Sequence, residues 1–161
     1  VEQADVARYL YLYYFGGVYA DLDFEALQSM DAIRKHLERI GAVGFVGEEP
    51  RAHTRLLEHR KGLLLSNAIL ASPGGHPFWL ALVAHIMLAL ANGDRGDPVS
   101  STGPRILTKV YKKYFCLDNS YSNRLFNSTI LDTNVAVAPI MSKSVGKGKS
   151  GHHHHHHHHH H

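Results

Sequence analysis

Two short and almost continuous apolar runs, residues 42–46 and 63–71, restrict the fold of this chain most strongly. Ser66 and Asn67 alone interrupt the second run. Successive side chains of a strand point to opposite faces, so a strand that is apolar throughout must be covered on both faces. Helical patterns precede the first run and follow the second, and this alternation of helices with buried strands predicts an α/β domain.

Local patterns predict the remaining elements. Apolar residues at helical spacing, with glycine or proline at their ends, predict helices at 2–15, 31–40, 78–91 and about 104–115. Short strands are expected at 18–20, 129–131 and 135–138, and a polar loop at 92–101. The run 78–91 is too short to span a bilayer and predicts a buried helix.

A few polar residues receive structural roles from the same patterns. Asp31 and Thr102 stand where helices are expected to begin and are predicted to cap them. His76 lies in a predicted turn and His85 on an apolar helix, so both histidines are expected to be structural rather than catalytic.

Charge and cysteine content exclude several classes of function. The chain has 17 Lys and Arg against 14 Asp and Glu, and the C-terminal residues Lys143, Lys147 and Lys149 account for the excess of three. This balance gives no reason to expect nucleic acid or an anionic membrane surface as a partner. The single cysteine, Cys116, rules out an internal disulfide scaffold.

The chain divides into one domain and a tail. Residues 142–161 are predicted to be a Ser/Gly/Lys spacer and a polyhistidine tag. Residues 1–141 are enough for one partial domain but not for two. The first helical pattern begins at once, without a basic and apolar leader, which indicates a fragment of a longer protein.

Asp21 and Asp23 carry most of the chemical signal. They follow the predicted strand 18–20 and flank Leu22. On an extended chain both carboxylates are expected on one side, with Leu22 pointing into the core. Carboxylate oxygens are hard ligands that suit Mg²⁺ or Mn²⁺ bound together with a diphosphate. The pattern predicts a metal–diphosphate clamp, in which the metal offsets charge on a leaving nucleotide diphosphate.

Two other interpretations of this triplet remain open. Strand-end aspartates often only cap a turn. Phosphatases of the haloacid-dehalogenase type also place Asp-x-Asp after an apolar strand, but they need Thr or Val, and usually Gly, directly after the second aspartate. Phe24 and Glu25 follow here, which disfavours a phosphatase.

The stretch from Ala4 to Asp23 resembles glycosyltransferase family 32, the DXD-containing sugar transferases. The family pattern runs A-D-x-x-R-Y, a helix, and then G-G-x-Y-x-D-x-D, and each element is present at the right spacing. Residues 66–71 with 75–78, and residues 101–104, also fit and are most similar to the mannosyltransferase branch. The resemblance covers about residues 3–115.

The resemblance implies a GT-A, Rossmann-like fold and a retaining, metal-dependent transferase. Such an enzyme moves a hexose, with mannose favoured, from a nucleotide-diphosphate sugar to a hydroxyl of a glycan or glycolipid. Mn²⁺ or Mg²⁺ is the implied cofactor. For a eukaryotic parent the family suggests the Golgi lumen. No residue is assigned as the catalytic nucleophile.

The resemblance also implies individual roles. Asp23 would bind the metal directly, and Asp21 would hold the ribose or bind the metal through water. Asp5 and Arg8 would hydrogen-bond the donor sugar and diphosphate, the alternative being a surface ion pair. For Tyr19 and Asn67 two interpretations remain open. Tyr19 would stack on the nucleotide or pack in the core, and Asn67 would face the donor sugar or acceptor, or be a buried amide.

The chain departs from the family pattern at both ends. Family members begin with a strand that binds the nucleotide base and end with a histidine-containing segment, and neither is expected here. An alternative interpretation is therefore an inactive fragment that self-associates through an uncovered sheet edge.

Overall fold

The structure, a computed structural model, describes residues 2–25, 29–50, 63–94, 96–115 and 137–142. Within these residues the elements are, in chain order, α1 (Glu2–Phe15), β1 (Gly17–Ala20), α2 (Asp31–Ile40), β2 (Ala42–Glu48), β3 (Leu65–Ser72), α3 (Pro77–Ala91), α4 (Pro98–Ser101), α5 (Pro104–Tyr114) and β4 (Val137–Met141). The predicted α/β class is confirmed, and the architecture is compatible with part of a GT-A fold.

Two predictions fall outside the part that the structure describes. The strand expected at 129–131, and the spacer and polyhistidine tag from residue 143 onward, lie in undescribed stretches. The division into a domain at 1–141 and a tail at 142–161 stays a prediction.

The four strands form one sheet in the order β1-β3-β2-β4, and each neighbouring pair is antiparallel. The carboxyl end of β1 and the amino end of β3 therefore meet at one edge, where the amide of Asp21 donates to the carbonyl oxygen of Ala68 at 2.8 Å. Asn67 lies inside β3, near its amino end. The antiparallel pairing places Asn67 close to Asp21.

Both faces of the sheet are covered, as the apolar runs predicted. On one face β2, β3 and β4 pack against α1, α3 and α5, with Tyr9, Trp79 and Tyr111 among the largest fully buried side chains. On the other face Ile33 and Leu37 of α2 pack against the sheet. The molecule therefore has a helix–sheet–helix arrangement stabilised mainly by apolar burial.

Helix α3 is buried on one side, so the prediction of a buried helix holds for that side alone. Phe78, Trp79, Leu82 and Ile86 face the core, whereas Met87 and its neighbours on the outer side are exposed. The reason is that the sheet and the other helices cover a single face of this helix.

Nowhere in the described residues is a helix long and apolar enough to cross a membrane.

Gly16 fixes how α1 meets the sheet. Its φ is +66°, and its amide donates to the carbonyl oxygen of Leu12 at 2.9 Å. A Cβ at Gly16 would lie 2.9 Å from the carbonyl carbon of Pro73 and still closer to the amide nitrogen of Gly74. The end of α1 is therefore packed against the turn after β3, where only glycine fits.

Asp31 and Thr102 were predicted to cap helices, and neither is the N-cap of its helix. The N-cap of α2 is Met30, and Asp31 is the first helical residue. The N-cap of α5 is Gly103, without a side-chain cap, and α4 occupies part of the expected loop 92–101. The hydroxyl of Thr102 is directed elsewhere, as described below.

Both histidines make structural contacts, as expected. His76 is buried at the N-cap of α3, where its Nδ1 accepts from the Phe78 amide at 3.2 Å. Its Nε2 then carries the proton and donates to the carbonyl oxygen of Met141 at 2.9 Å, which ties α3 to β4. Nδ1 of His85 lies 2.9 Å from the carbonyl oxygen of Ala81 in its own helix.

Candidate functional site

Five of the six predicted donor-binding residues meet at the sheet edge where β1 ends and β3 begins. Two come from α1, two from β1 and its end, and one from β3: Asp5, Arg8, Tyr19, Asp21 and Asn67. The first helix lies over this edge because its end is anchored by the turn after β3. The sixth residue, Asp23, lies apart from these contacts.

Asp5 is enclosed by protein donors. The residue is 4% exposed, and its Oδ1 accepts from Nδ2 of Asn67 at 2.9 Å and lies 3.2 Å from Nη2 of Arg8. Its Oδ2 accepts from Oγ1 of Thr102 at 2.8 Å. The side chains of Asp5 and Arg8 are 6% and 11% exposed, so the surface ion-pair interpretation is wrong. Each carboxylate oxygen has a donor, as a buried charge requires.

Arg8 connects Asp5 to the acidic end of β1. Its Nη1 donates to Oδ1 of Asp21 at 3.1 Å and to the carbonyl oxygen of Asn67 at 2.7 Å. Its guanidinium carbon lies 4.8 Å from the centre of the Tyr19 ring, a cation–π contact. Its Nε is buried and has no hydrogen-bond partner within the described residues. The guanidinium of Arg8 is therefore oriented for its Nη contacts, and its buried Nε–H is left without an acceptor among the described residues.

Tyr19 contacts two charged groups of the site, Asp21 and Arg8. Its hydroxyl donates to Oδ1 of Asp21 at 2.7 Å while its ring lies beneath Arg8. Burial, and next the hydrogen bond to Asp21, raise the pKa of the Tyr19 hydroxyl, so it remains a proton donor at neutral pH. The ring packs at the margin of the core.

The hydrogen bonds of the Asp21 carboxylate all fall on one of its two oxygens. Arg8 and Tyr19 both bind Oδ1, and Oδ2 makes no hydrogen bond in the described part of the chain. The side chain is 35% exposed, so this free oxygen is within reach of a ligand.

The Asp21–Asp23 segment is a turn, which corrects the expectation of an extended chain. Strand β1 ends at Ala20, and the amide of Phe24 donates to the carbonyl oxygen of Asp21 at 3.0 Å. Because the chain reverses here, strand alternation no longer applies. Leu22, expected in the core, is 106% exposed. Asp23 is exposed and makes no hydrogen bond or ion pair with a described residue.

The donor set fits a hard divalent cation only together with outside ligands. Among the described residues no group of three or more His, Cys, Asp or Glu is close enough to hold a metal ion. Oδ2 of Asp21 and the Asp23 carboxylate are uncommitted oxygens, and Mg²⁺ typically combines one or two carboxylates with water and phosphate oxygens. Asp5, Asp21 and Asp23 against Arg8 leave two negative charges, which match a divalent ion.

Sequence reasoning missed two members of this site. Tyr9 is a fully buried core residue that was given no role in the site, and its hydroxyl accepts from Nδ2 of Asn67 at 3.3 Å and donates to the carbonyl oxygen of Thr102 at 2.9 Å. Thr102 was interpreted as a cap, but it binds Asp5. The available signal was weak: Thr102 belongs to the 101–104 stretch of the resemblance, and Tyr9 directly follows Arg8.

A family model described as the glycosyltransferase sugar-binding region containing the DXD motif matches residues 1–39. The match covers α1, β1, the turn at Asp21 and most of α2, and it leaves out Asn67 and Thr102. No curated protein matches this chain. Over its first quarter the chain is therefore similar to the sugar-binding region of DXD glycosyltransferases.

Proposed function

We propose that this chain binds a nucleotide-diphosphate sugar and acts as the donor-binding part of a metal-dependent glycosyltransferase. One observation carries the proposal: Arg8 and Tyr19 both occupy Oδ1 of Asp21, so that Oδ2 stays free, and the exposed Asp23 follows two residues later in the same turn. This arrangement lies within the residues that match the DXD sugar-binding region.

The residues of the chain have complementary tasks in this proposal. Asp21 and Asp23 would hold Mn²⁺ or Mg²⁺, which would supply positive charge to offset the leaving diphosphate. Arg8 and Tyr19 fix the orientation of Asp21 before the donor arrives, and preorganised groups reduce the ordering cost of binding. The planar guanidinium of Arg8 suits phosphate and sugar oxygens at the same edge.

The finer assignment follows the sequence resemblance. We propose family 32, its mannosyltransferase branch, and transfer of mannose with retention to a hydroxyl of a glycan or glycolipid. The support is the pattern in Ala4–Asp23 and the two later stretches at 66–78 and 101–104. Without an assigned nucleophile we favour same-face attack assisted by the diphosphate. For a eukaryotic parent the proposed compartment is the Golgi lumen.

Donor binding can be measured by thermal shift on the full chain with Mg²⁺ and GDP-mannose, UDP-galactose or UDP-N-acetylglucosamine. Mg²⁺ is chosen because the imidazoles of residues 152–161 bind softer metals such as Zn²⁺. Donor at about 100 times its Kd stabilises the folded state by about 2.7 kcal/mol, which raises the Tm by several degrees. We expect a shift that requires Mg²⁺ and is largest with GDP-mannose.

Asp23→Asn should abolish this shift, because the amide replaces one of the two carboxylates that would hold the metal. Asp94→Asn is the matched control: Asp94 is also exposed, its side chain makes no hydrogen bond or ion pair with a described residue, and it lies outside residues 1–39. The proposal is wrong if no donor shifts the Tm of the wild type, or if Asp23→Asn and Asp94→Asn behave alike.

Self-association without donor binding is the alternative, and the edge position of β1 favours it. Among the strands that the structure describes, β1 pairs only with β3, and its Val18 is 59% exposed. A flat apolar edge invites pairing with a second copy, which a lysine discourages. In sedimentation this alternative predicts a concentration-dependent dimer that Val18→Lys dissociates. Val43→Lys is the control, since Val43 is also exposed but lies on β2, between β3 and β4.

A further inference from the structure

We infer that Thr102 is a positioning residue for the donor site: through Asp5 it holds Arg8 on Asp21. Thr102 lies between α4 and α5, and 97 residues separate it from Asp5 in the chain. Its consequence for donor affinity rests on the proposed function, whereas its effect on Arg8 does not.

The geometry directs the Thr102 hydroxyl to Asp5. Thr102 is fully buried, and its Oγ1 lies 2.8 Å from Oδ2 of Asp5 and 3.3 Å from the carbonyl oxygen of Pro98. A hydroxyl has one proton to donate, and the charged acceptor at the shorter distance takes it. The Tyr9 hydroxyl donates to the carbonyl oxygen of Thr102, which fixes the backbone of Thr102 against α1.

Thr102 controls Arg8 because Asp5 has few donors. The other two donors, Nδ2 of Asn67 and Nη2 of Arg8, both contact Oδ1. If the Thr102 hydroxyl is removed, Oδ2 becomes a buried anionic oxygen without a donor. The carboxylate is then held at Oδ1 alone and can rotate, so its contact with Nη2 of Arg8 becomes intermittent. Arg8 is then held less firmly on Asp21.

Thr108 provides a matched control within the same chain. It is a buried threonine on α5 whose Oγ1 donates to the carbonyl oxygen of Pro104 at 2.7 Å and accepts from the Leu65 amide at 2.9 Å. It has no contact with the Asp5–Arg8 pair. A valine at either position removes a buried hydroxyl at equal size, but only the change at Thr102 reaches the site.

The direct test is ¹⁵N NMR of the Arg8 guanidinium, identified by the signals that Arg8→Lys removes. In the wild type the buried, hydrogen-bonded group should rotate slowly and show separate Nη signals. In Thr102→Val we expect the Nη signals to merge, with rotation faster by about tenfold. Thr102→Ser keeps the hydroxyl and should retain the wild-type signals, and so should Thr108→Val.

The second readout is the Kd for the donor in the presence of Mg²⁺. Removing a group that orients a metal-binding residue typically weakens binding by about 10- to 100-fold. We expect a loss in this range for Thr102→Val, and a change below about threefold for Thr102→Ser and Thr108→Val.

The two readouts separate the two claims. If wild-type protein binds no donor but Thr102→Val frees the Arg8 guanidinium, the positioning role stands and the proposed function fails. If the Arg8 signals are the same in Thr102→Val and wild type, the positioning role is wrong whatever the donor affinity. If Thr108→Val frees Arg8 as much as Thr102→Val does, the effect is general loosening and the positioning role is also wrong.

Discussion

Replacing Asp5 by alanine is expected to lower the free energy of unfolding by about 3 to 5 kcal/mol, because it breaks a buried ion pair and leaves a charge without its partner. The guanidinium of Arg8 would keep only Asp21 as a counter-charge. Asn67 and Thr102 would also lose the shorter of the two hydrogen bonds that each donates. Urea unfolding of the full chain, followed by circular dichroism, measures this change.

Asp31→Ala is the matched control for that prediction. Asp31 also stands in the first turn of a helix and pairs with an arginine three residues later, but the side chains of Asp31 and Arg34 are 68% and 57% exposed. Solvent and salt screen an exposed pair of this kind, so Asp31→Ala should leave the free energy of unfolding nearly unchanged. Equal losses in the two variants would contradict the assignment of Asp5 as a buried connection point of the site.

Gly16→Ala is expected to lower the free energy of unfolding by about 2 to 5 kcal/mol. A non-glycine residue at a left-handed φ costs about 1 to 2 kcal/mol, and forcing an added group into packed structure costs about 1 to 3 kcal/mol more. The added Cβ would meet the backbone of Pro73 and Gly74, which a side-chain rotation cannot relieve. Because this contact holds α1 against β3, the change should also weaken Mg²⁺-dependent donor binding.

Gly41→Ala separates backbone strain from the collision. Gly41 has a similar φ of +71°, but a Cβ there meets nothing within 4 Å. We expect a loss of about 1 to 2 kcal/mol in this variant, with donor binding unchanged. If Gly41→Ala and Gly16→Ala lose the same stability, the close approach of α1 to the 73–74 turn is not what requires glycine at position 16.

Local patterns predicted the elements well because their causes are local. The bounds of α1 and the start of α3 at Pro77 follow from helical spacing and from residues at the helix ends. Gly41 ends α2 in the left-handed conformation, as its lack of a Cβ favours. The cap at Asp31 failed because the cap position moved by one residue, which the local pattern did not resolve.

The predicted geometry of the aspartates failed for a physical reason. The expected orientation of Asp21, Leu22 and Asp23 assumed a continuing strand, but strand length depends on pairing with β3, and pairing stops at Ala20 opposite Ile69. The chain then turns, and Leu22 is exposed. Pairing partners are distant in the chain, so the local pattern did not contain this information.

The sequence by itself determined which chemistry this chain can offer: the α/β class, the Asp5–Arg8 spacing on one helix, and two aspartates at a strand end. The tertiary structure decided what those groups do, because their partners come from far along the chain. Asn67 and Thr102 lie 62 and 97 residues from Asp5, and they make its carboxylate a buried support rather than an open ligand. A buried charge is stable only where such donors converge, and that convergence is a property of the folded molecule.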